Sequence, residues 1–415
     1  MRSLWSLIWL LLLTSALRAD EYALTIRYES NESALVEITL PEGADADRSW
    51  ELFESRNDPS DKARRGRPTQ PVIGDRRRLL ALLTPKEWNQ KLILRPVPSD
   101  RVEHLPPVHR GPFVHEHDGK LTLANSPHSI LSYHTETSKP PAGIAAHYAR
   151  SGHIHPLMTP NHQMVTSEFP VDHPHQHGLF FAWVNTQFDG HKVDFWNQGG
   201  LLGNVRHKRL IDSVAEKVFS GLHAELEHID LTAGETVVLN ETWKVMAWSA
   251  LSDQFPYYVV DLESRQVAAT EKPLTIQKYH YGGFGWRGPD DWLLPKDGQP
   301  TQGCTFLTSL GDDRAKGNHT RPAWVAVTGK VDEQPCTVAI YGSPQNYQHP
   351  QPVRLHPDKP YFCFAPCVLG EFTISREQPL VSRYRIVTHA GPANSALYDK
   401  LVDQWEHPPV VEFDK

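Results

Sequence analysis

Apolar and polar residues alternate with a period of two along most of this chain, and turn-forming residues punctuate the alternation. That period belongs to half-buried strands, since successive side chains of an extended backbone point to opposite faces. Residues 22–28 and 34–40 fit it and predict a small β-rich N-terminal unit over 20–98. A polar stretch at 57–70 follows them. Thr84-Pro85-Lys86-Glu87 has capping-box form, with proline at the first helical position, and predicts one short helix before 92–94. Residues 99–112 are proline-rich and read as a linker. From 113 the strand patterns continue at 178–185, 205–218, 222–231, 236–246, 257–267, 273–279, 323–331, 337–341 and 382–389. Turn signals such as Thr232-Ala233-Gly234-Glu235 separate them, and no helical period intervenes. The expectation is an all-β fold with a large antiparallel sandwich over 113–415. One C-terminal helix is predicted, capped by Ser395, with Leu397, Leu401, Val402 and Trp405 on its apolar stripe.

The N-terminus changes the expected compartment. Arg2, the apolar run 4–13 and small residues at Thr14, Ser15, Ala16 and Ala19 form a signal-peptide pattern over 1–19. The mature chain is therefore expected to be exported, periplasmic or extracellular, with no membrane span. A formal net charge of -7 gives no basic footprint for nucleic acid, and the basic stretch at 62–67 reads as a solvated loop. The four cysteines, Cys304, Cys336, Cys363 and Cys367, allow one or two disulfides or buried thiols. The Cys363-x-x-x-Cys367 spacing makes a poor zinc knuckle.

Candidate chemistry concentrates at Asp172-His173-Pro174-His175-Gln176-His177-Gly178, just before the apolar run 179–183. His173, His175 and His177 alternate, so an extended chain projects all three to one side. Imidazole is the side chain best poised for proton transfer or metal ligation near neutral pH. His153 and His155 repeat the spacing before Pro156, and His155 joins the candidate set. Glu241 interrupts an apolar row made by Val237, Leu239, Trp243 and Val245, so it is expected to be buried and paired, or to hold a raised pKa. Arg287 follows glycines 282, 283 and 285; its fork suits a substrate hydroxyl or carboxylate, or a structural pair with Glu241. Trp183, Trp196 and Tyr281 are candidates to stack on a sugar ring, against a plain core role. Asn346 and His349 lie in a proline-bounded loop of the kind that binds ligands. Asp194 either orients a histidine or closes a turn. His155, His175 and His177, with Asp194 or Glu168, would suit Zn²⁺, Fe²⁺ or Cu²⁺, although HExxH is absent. The cofactor expectation is therefore none or one divalent metal ion.

Several strings resemble the exported family labelled PmoA-like, or methane oxygenase PmoA. They are residues 150–157, 172–180, 193–196, 281–287, 344–350 and 384–391, in the family's order. The family usually has a histidine where this chain has Gln176. The label does not make the chain an oxygenase, because membrane methane oxygenase is an integral membrane copper enzyme. The resemblance implies a galactose mutarotase-like sandwich and a carbohydrate or sugar-derived ligand. The expected function is then an enzyme using histidine and carboxylate acid-base chemistry as an isomerase, lyase or hydrolase. A metal-dependent oxidative or hydrolytic enzyme and a non-catalytic glycan-binding module are the other two readings.

Overall fold

A computed structural model describes residues 21–54, 66–97, 111–250, 256–295 and 301–414. The signal-peptide pattern at 1–19, most of the expected linker and most of the basic stretch lie outside the described residues. Among the described residues the alternating segments pair as antiparallel strands in five sheets, two of them eight-stranded. The first, here the histidine sheet, runs Val353–Leu355, Tyr361–Phe364, Gly283–Arg287, Leu179–Ala182, Ile154–Leu157, His128–His134, Lys120–Ser126 and Gly111–His117. The second, the long-strand sheet, runs Gly203–Ala215, Ser220–Asp230, Thr236–Ser249, Tyr257–Ala268, Leu380–Ala390, Gln334–Gly342, Trp324–Val331 and Thr305–Thr308. One core joins them: Leu131, Phe181 and Trp286 of the first share it with Leu226, Trp243, Val260 and Ile386 of the second. The all-β sandwich expected from the period of two is the architecture present.

The opposite face of the long-strand sheet is also covered. Trp248, Val259, Tyr341 and Val387 pack with Leu397, Tyr398 and Leu401 of the helix Ser395–Glu406, and with Ile73 and Leu80 from the N-terminal region. Asn394 caps this helix, its side chain accepting from the Leu397 N–H at 3.1 Å, so the cap lies one residue before the expected Ser395. The capping box at Thr84 forms, with the Glu87 carboxylate accepting the Thr84 N–H at 2.8 Å, but it opens only the single 3-10 turn Pro85–Glu87.

Two sequence expectations are corrected, and a third, left open between disulfides and thiols, is resolved. Gly111 and Pro112, assigned to the linker, begin the strand Gly111–His117. The last strand, Val410–Phe413, leaves the sandwich and pairs with Tyr22–Arg27 at the edge of the N-terminal sheet, Leu24 opposite Phe413. An open strand edge is a row of unpaired N–H and C=O groups, and this segment satisfies it. All four cysteines are free thiols, so no disulfide forms. Among the described residues no helix is long and apolar enough to cross a membrane.

Candidate active site

One end of the histidine sheet gathers the unusual side chains. His128–His134 finishes there, Ile154–Leu157 and Leu179–Ala182 begin there, and Gly283–Arg287 ends there. The loop 158–178 is stitched across that end. The Arg287 N–H donates to the Gly178 carbonyl at 2.8 Å, and the Ser167 N–H to the Arg287 carbonyl at 3.0 Å. Gly178 has φ +53°, and a Cβ there would lie 2.1 Å from the Ile154 carbonyl oxygen, so this crossing needs glycine.

His134, His153 and Glu168 meet in this end. The His153 Nε2 is 2.7 Å from Glu168 Oε1, and His134 Nδ1 is 3.7 Å from the same oxygen. The two rings stack at 4.1 Å and 25°. His134 Nε2 lies 2.7 Å from the His155 carbonyl, which can only accept, so that nitrogen carries the proton. His134 Nδ1 is left with its lone pair, which the Ser138 hydroxyl meets. Burial pushes both imidazoles below their ordinary pKa, His153 much the further. His155 stands beside them, half-buried, and burial lowers its pKa to about 4. Its Nδ1 is 3.0 Å from the Thr166 hydroxyl, which already accepts the Leu157 N–H and must place its own proton. His155 is therefore the Nε2–H tautomer, and that N–H takes no hydrogen bond among the described residues. His177 is fully buried, its Nε2 3.3 Å from Gln198 Oε1 and its Nδ1 without a partner.

A second group forms around Arg287, which is wholly buried. Its fork holds Asp172 through two bonds of 2.8 and 3.2 Å, Gln176 Oε1 at 3.1 Å and Asp290 at 2.8 Å. Lys359 adds a contact to Asp172 at 3.2 Å. Burial works to raise the Asp172 carboxyl, but the His173 and Arg287 hydrogen bonds and the nearby cationic charges hold it well below the usual range. Asp172 accepts from His173 Nδ1 at 2.9 Å. That bond fixes the His173 tautomer and leaves Nε2 as the free nitrogen of a ring that is about one-third exposed (32%). His175 and His356 flank it, ring centroids 5.5 and 5.8 Å away. Burial lowers His175 to about 3 and His356 to about 4, so both are neutral near pH 7. This end of the sheet can exchange a proton at His173 and donate a hydrogen bond from His155.

Residues 120–403 match a family described only as one of unknown function, DUF6807. The chain belongs to that family. The match spans all the strings that carried the resemblance and brings no activity with it. No curated protein matches the chain.

The DUF6807 domain brings His155, His173, His175, His177 and Arg287 to this one end, and places the other predicted residues elsewhere. Glu241 lies between the sheets, fully buried, accepting from His228 Nε2 at 2.6 Å, from Trp243 Nε1 at 2.7 Å and from the Ser264 hydroxyl. Its partner is a histidine on the neighbouring strand, so the pair with Arg287, the alternative to a ligand-binding arginine, is not made. Trp183 and Trp196 are wholly buried; Trp183 donates to Gln266 and Trp196 packs on Phe180 at 4.6 Å, which leaves neither face for a sugar. Asp194 accepts the N–H groups of Trp196 and Asn197, each at 2.9 Å, and closes a turn without touching a histidine. Tyr281 is half-buried and shares hydrogen bonds with Asn197. Asn346 clamps the Arg383 backbone through bonds of 2.7 and 2.8 Å, and His349 follows it in the same loop. His155, His175 and His177 do not form the anticipated metal set: the described group with metal-ligand spacing is His134, His153 and Glu168, their ligand atoms all within 4.8 Å of one another. Sequence reasoning missed His134, a lone histidine at a strand end. It also missed Arg150, fully buried beside Phe180 with Nε and Nη1 unpartnered, although Arg150 heads the string that includes His153.

Proposed function

We propose that this DUF6807 protein is an exported enzyme acting on a carbohydrate or sugar derivative by histidine–carboxylate proton transfer. The observation that carries the reading is the Arg287–Asp172–His173 relay, which leaves Nε2 free on a partly exposed imidazole whose other nitrogen is pinned by a carboxylate. A base oriented in this way is the arrangement general acid-base catalysis requires. Asp172 and Arg287 act as positioning residues, and His173 is the group that takes and returns the proton. His155, a neutral imidazole with a free N–H, donates to a substrate oxygen on which negative charge develops. The half-buried groups around His173 are imidazoles, a carboxylate and an ammonium, which matches a polyhydroxylated ligand better than an apolar one. The resemblance to sugar-acting sandwiches supplies the substrate class, and proton transfer is common to isomerase, lyase and hydrolase routes.

The test is a screen of neutral sugars, uronic acids and oligosaccharides, run in D₂O so that both turnover and C–H exchange are seen by NMR. A hit is then followed across pH in His173→Gln and Asp172→Asn. Loss of about 10²-fold or more in the first variant, with a displaced pH profile in the second, is expected. Turnover unchanged in His173→Gln would overturn the assignment. Sugar binding by the wild type without any turnover or exchange would instead mark a binding module.

A further inference from the structure

We propose that His134, His153 and Glu168 form a binding site for one divalent transition-metal ion, Zn²⁺ in the first instance. The ligand atoms would be His134 Nδ1, His153 Nε2 and Glu168 Oε1. Their present separations from the carboxylate oxygen, 3.7 and 2.7 Å, bracket the spacing of about 3.4 Å that tetrahedral zinc with bonds near 2.1 Å imposes. A proton now occupies the space between His153 and Glu168; a metal ion would take its place after a small outward movement of the Glu168 side chain.

Three further observations support the site. Metal-ligating histidines almost always donate their second ring N–H to a carbonyl or carboxylate, which fixes the tautomer and turns the other lone pair toward the ion. His134 is held in that way, its Nε2–H on the His155 carbonyl at 2.7 Å. Only the Ser138 hydroxyl meets its Nδ1 lone pair, and a hydroxyl can rotate aside. Second, Glu168 is only 14% exposed, and its ion-pair partners among the described residues are these two imidazoles. Arg150 and Lys120 act on the neighbouring imidazoles only at longer range, so the carboxylate has no direct cationic partner among the described residues, and a dication would supply one. Third, the set has two nitrogens and one oxygen with part of Glu168 open, so further coordination positions remain for water or substrate, as in a catalytic zinc or two-histidine, one-carboxylate site.

The site stands apart from the carbohydrate reading, because no sugar enters the argument and His173 is not a ligand. The full mature chain is stripped with a chelator and titrated with ZnCl₂, then with Mn²⁺ and Fe²⁺, by calorimetry and by competition with a chromophoric chelator. One Zn²⁺ per chain, with a raised melting temperature, is expected. Glu168→Gln should weaken binding by at least 10²-fold, and His134→Gln similarly, each with an unchanged far-UV spectrum. His173→Gln should keep full stoichiometry, which separates failure of the proton-transfer reading from failure of this one. X-ray absorption on the loaded protein should show a first shell of nitrogen and oxygen near 2.0–2.1 Å. Folded wild type that binds no metal at micromolar concentration overturns the proposal, as does binding that Glu168→Gln leaves unchanged.

Discussion

Replacing Glu241 by leucine tests whether the carboxylate between the sheets is a structural hub. Leucine nearly conserves volume, so packing changes little and the polar network takes the effect. Three buried donors lose their acceptor: the His228 imidazole at 2.6 Å, the Trp243 indole at 2.7 Å and the Ser264 hydroxyl. A buried donor left unsatisfied costs about 1–3 kcal/mol, giving a gross loss of about 3–9 kcal/mol. Removing the carboxylate also recovers its own desolvation penalty, several kcal/mol for a buried ion. The net expectation is a destabilisation of about 3 kcal/mol. Glu241→Gln is the informative companion, because its retained oxygen still serves Trp243 and Ser264. Its amide then faces His228, which must shift its proton to an Nδ1 that has no partner. That leaves two donors unsatisfied, the His228 Nδ1–H and the second amide N–H, and after the recovered desolvation of the carboxylate a net cost of about 1–2 kcal/mol. Urea unfolding followed by tryptophan fluorescence measures both, and an unchanged m-value confirms that the same transition is compared. A loss below about 0.5 kcal/mol for the leucine variant, or a larger loss for glutamine than for leucine, would refute the network as described.

Two more predictions concern charge and thiols. Asp172 has a folded pKa below its unfolded value, so its stabilisation is complete above the unfolded pKa near 3.9 and is lost as pH falls through the folded one. The stability gap between wild type and Asp172→Asn should therefore shrink as pH falls below about 4, as read from urea midpoints at each pH. Four thiols should react with Ellman's reagent in denaturant. In the native protein the three buried cysteines should be slow and half-buried Cys304 no more than sluggish, since burial raises its pKa to about 11; fewer than four in denaturant would reveal a disulfide.

The period of two located the long strands and their inward faces, including the row that Glu241 interrupts. It did so because each face meets a different environment along its whole length. The alternating histidines lie at the end of the histidine sheet where the proposed site is placed. Their individual tasks were not legible, because these depend on which side chain from a distant segment arrives opposite. Gln176, the departure from the usual histidine, accepts from Arg287 at 3.1 Å, so that position helps hold the arginine fork. Asp172, read only as a neighbour of the histidines, is what makes His173 a directed base. His134 gave no local signal at all; it joins His153 only through antiparallel pairing of two strands separated by the loop that carries Ser138. Trp183 and Trp196 were ambiguous in sequence because the same aromatic surface serves a core or a sugar, and burial decides it.

The pairing of Val410–Phe413 with Tyr22–Arg27 bears on how the protein is made. During synthesis the N-terminal sheet emerges long before the segment that closes its edge, so until then the Tyr22–Arg27 strand presents an open hydrogen-bonding row. A fragment spanning 21–97 would carry that exposed edge permanently and invite self-association. Shortening the chain before Val410 would expose the same edge at the opposite end of the sequence from the cut.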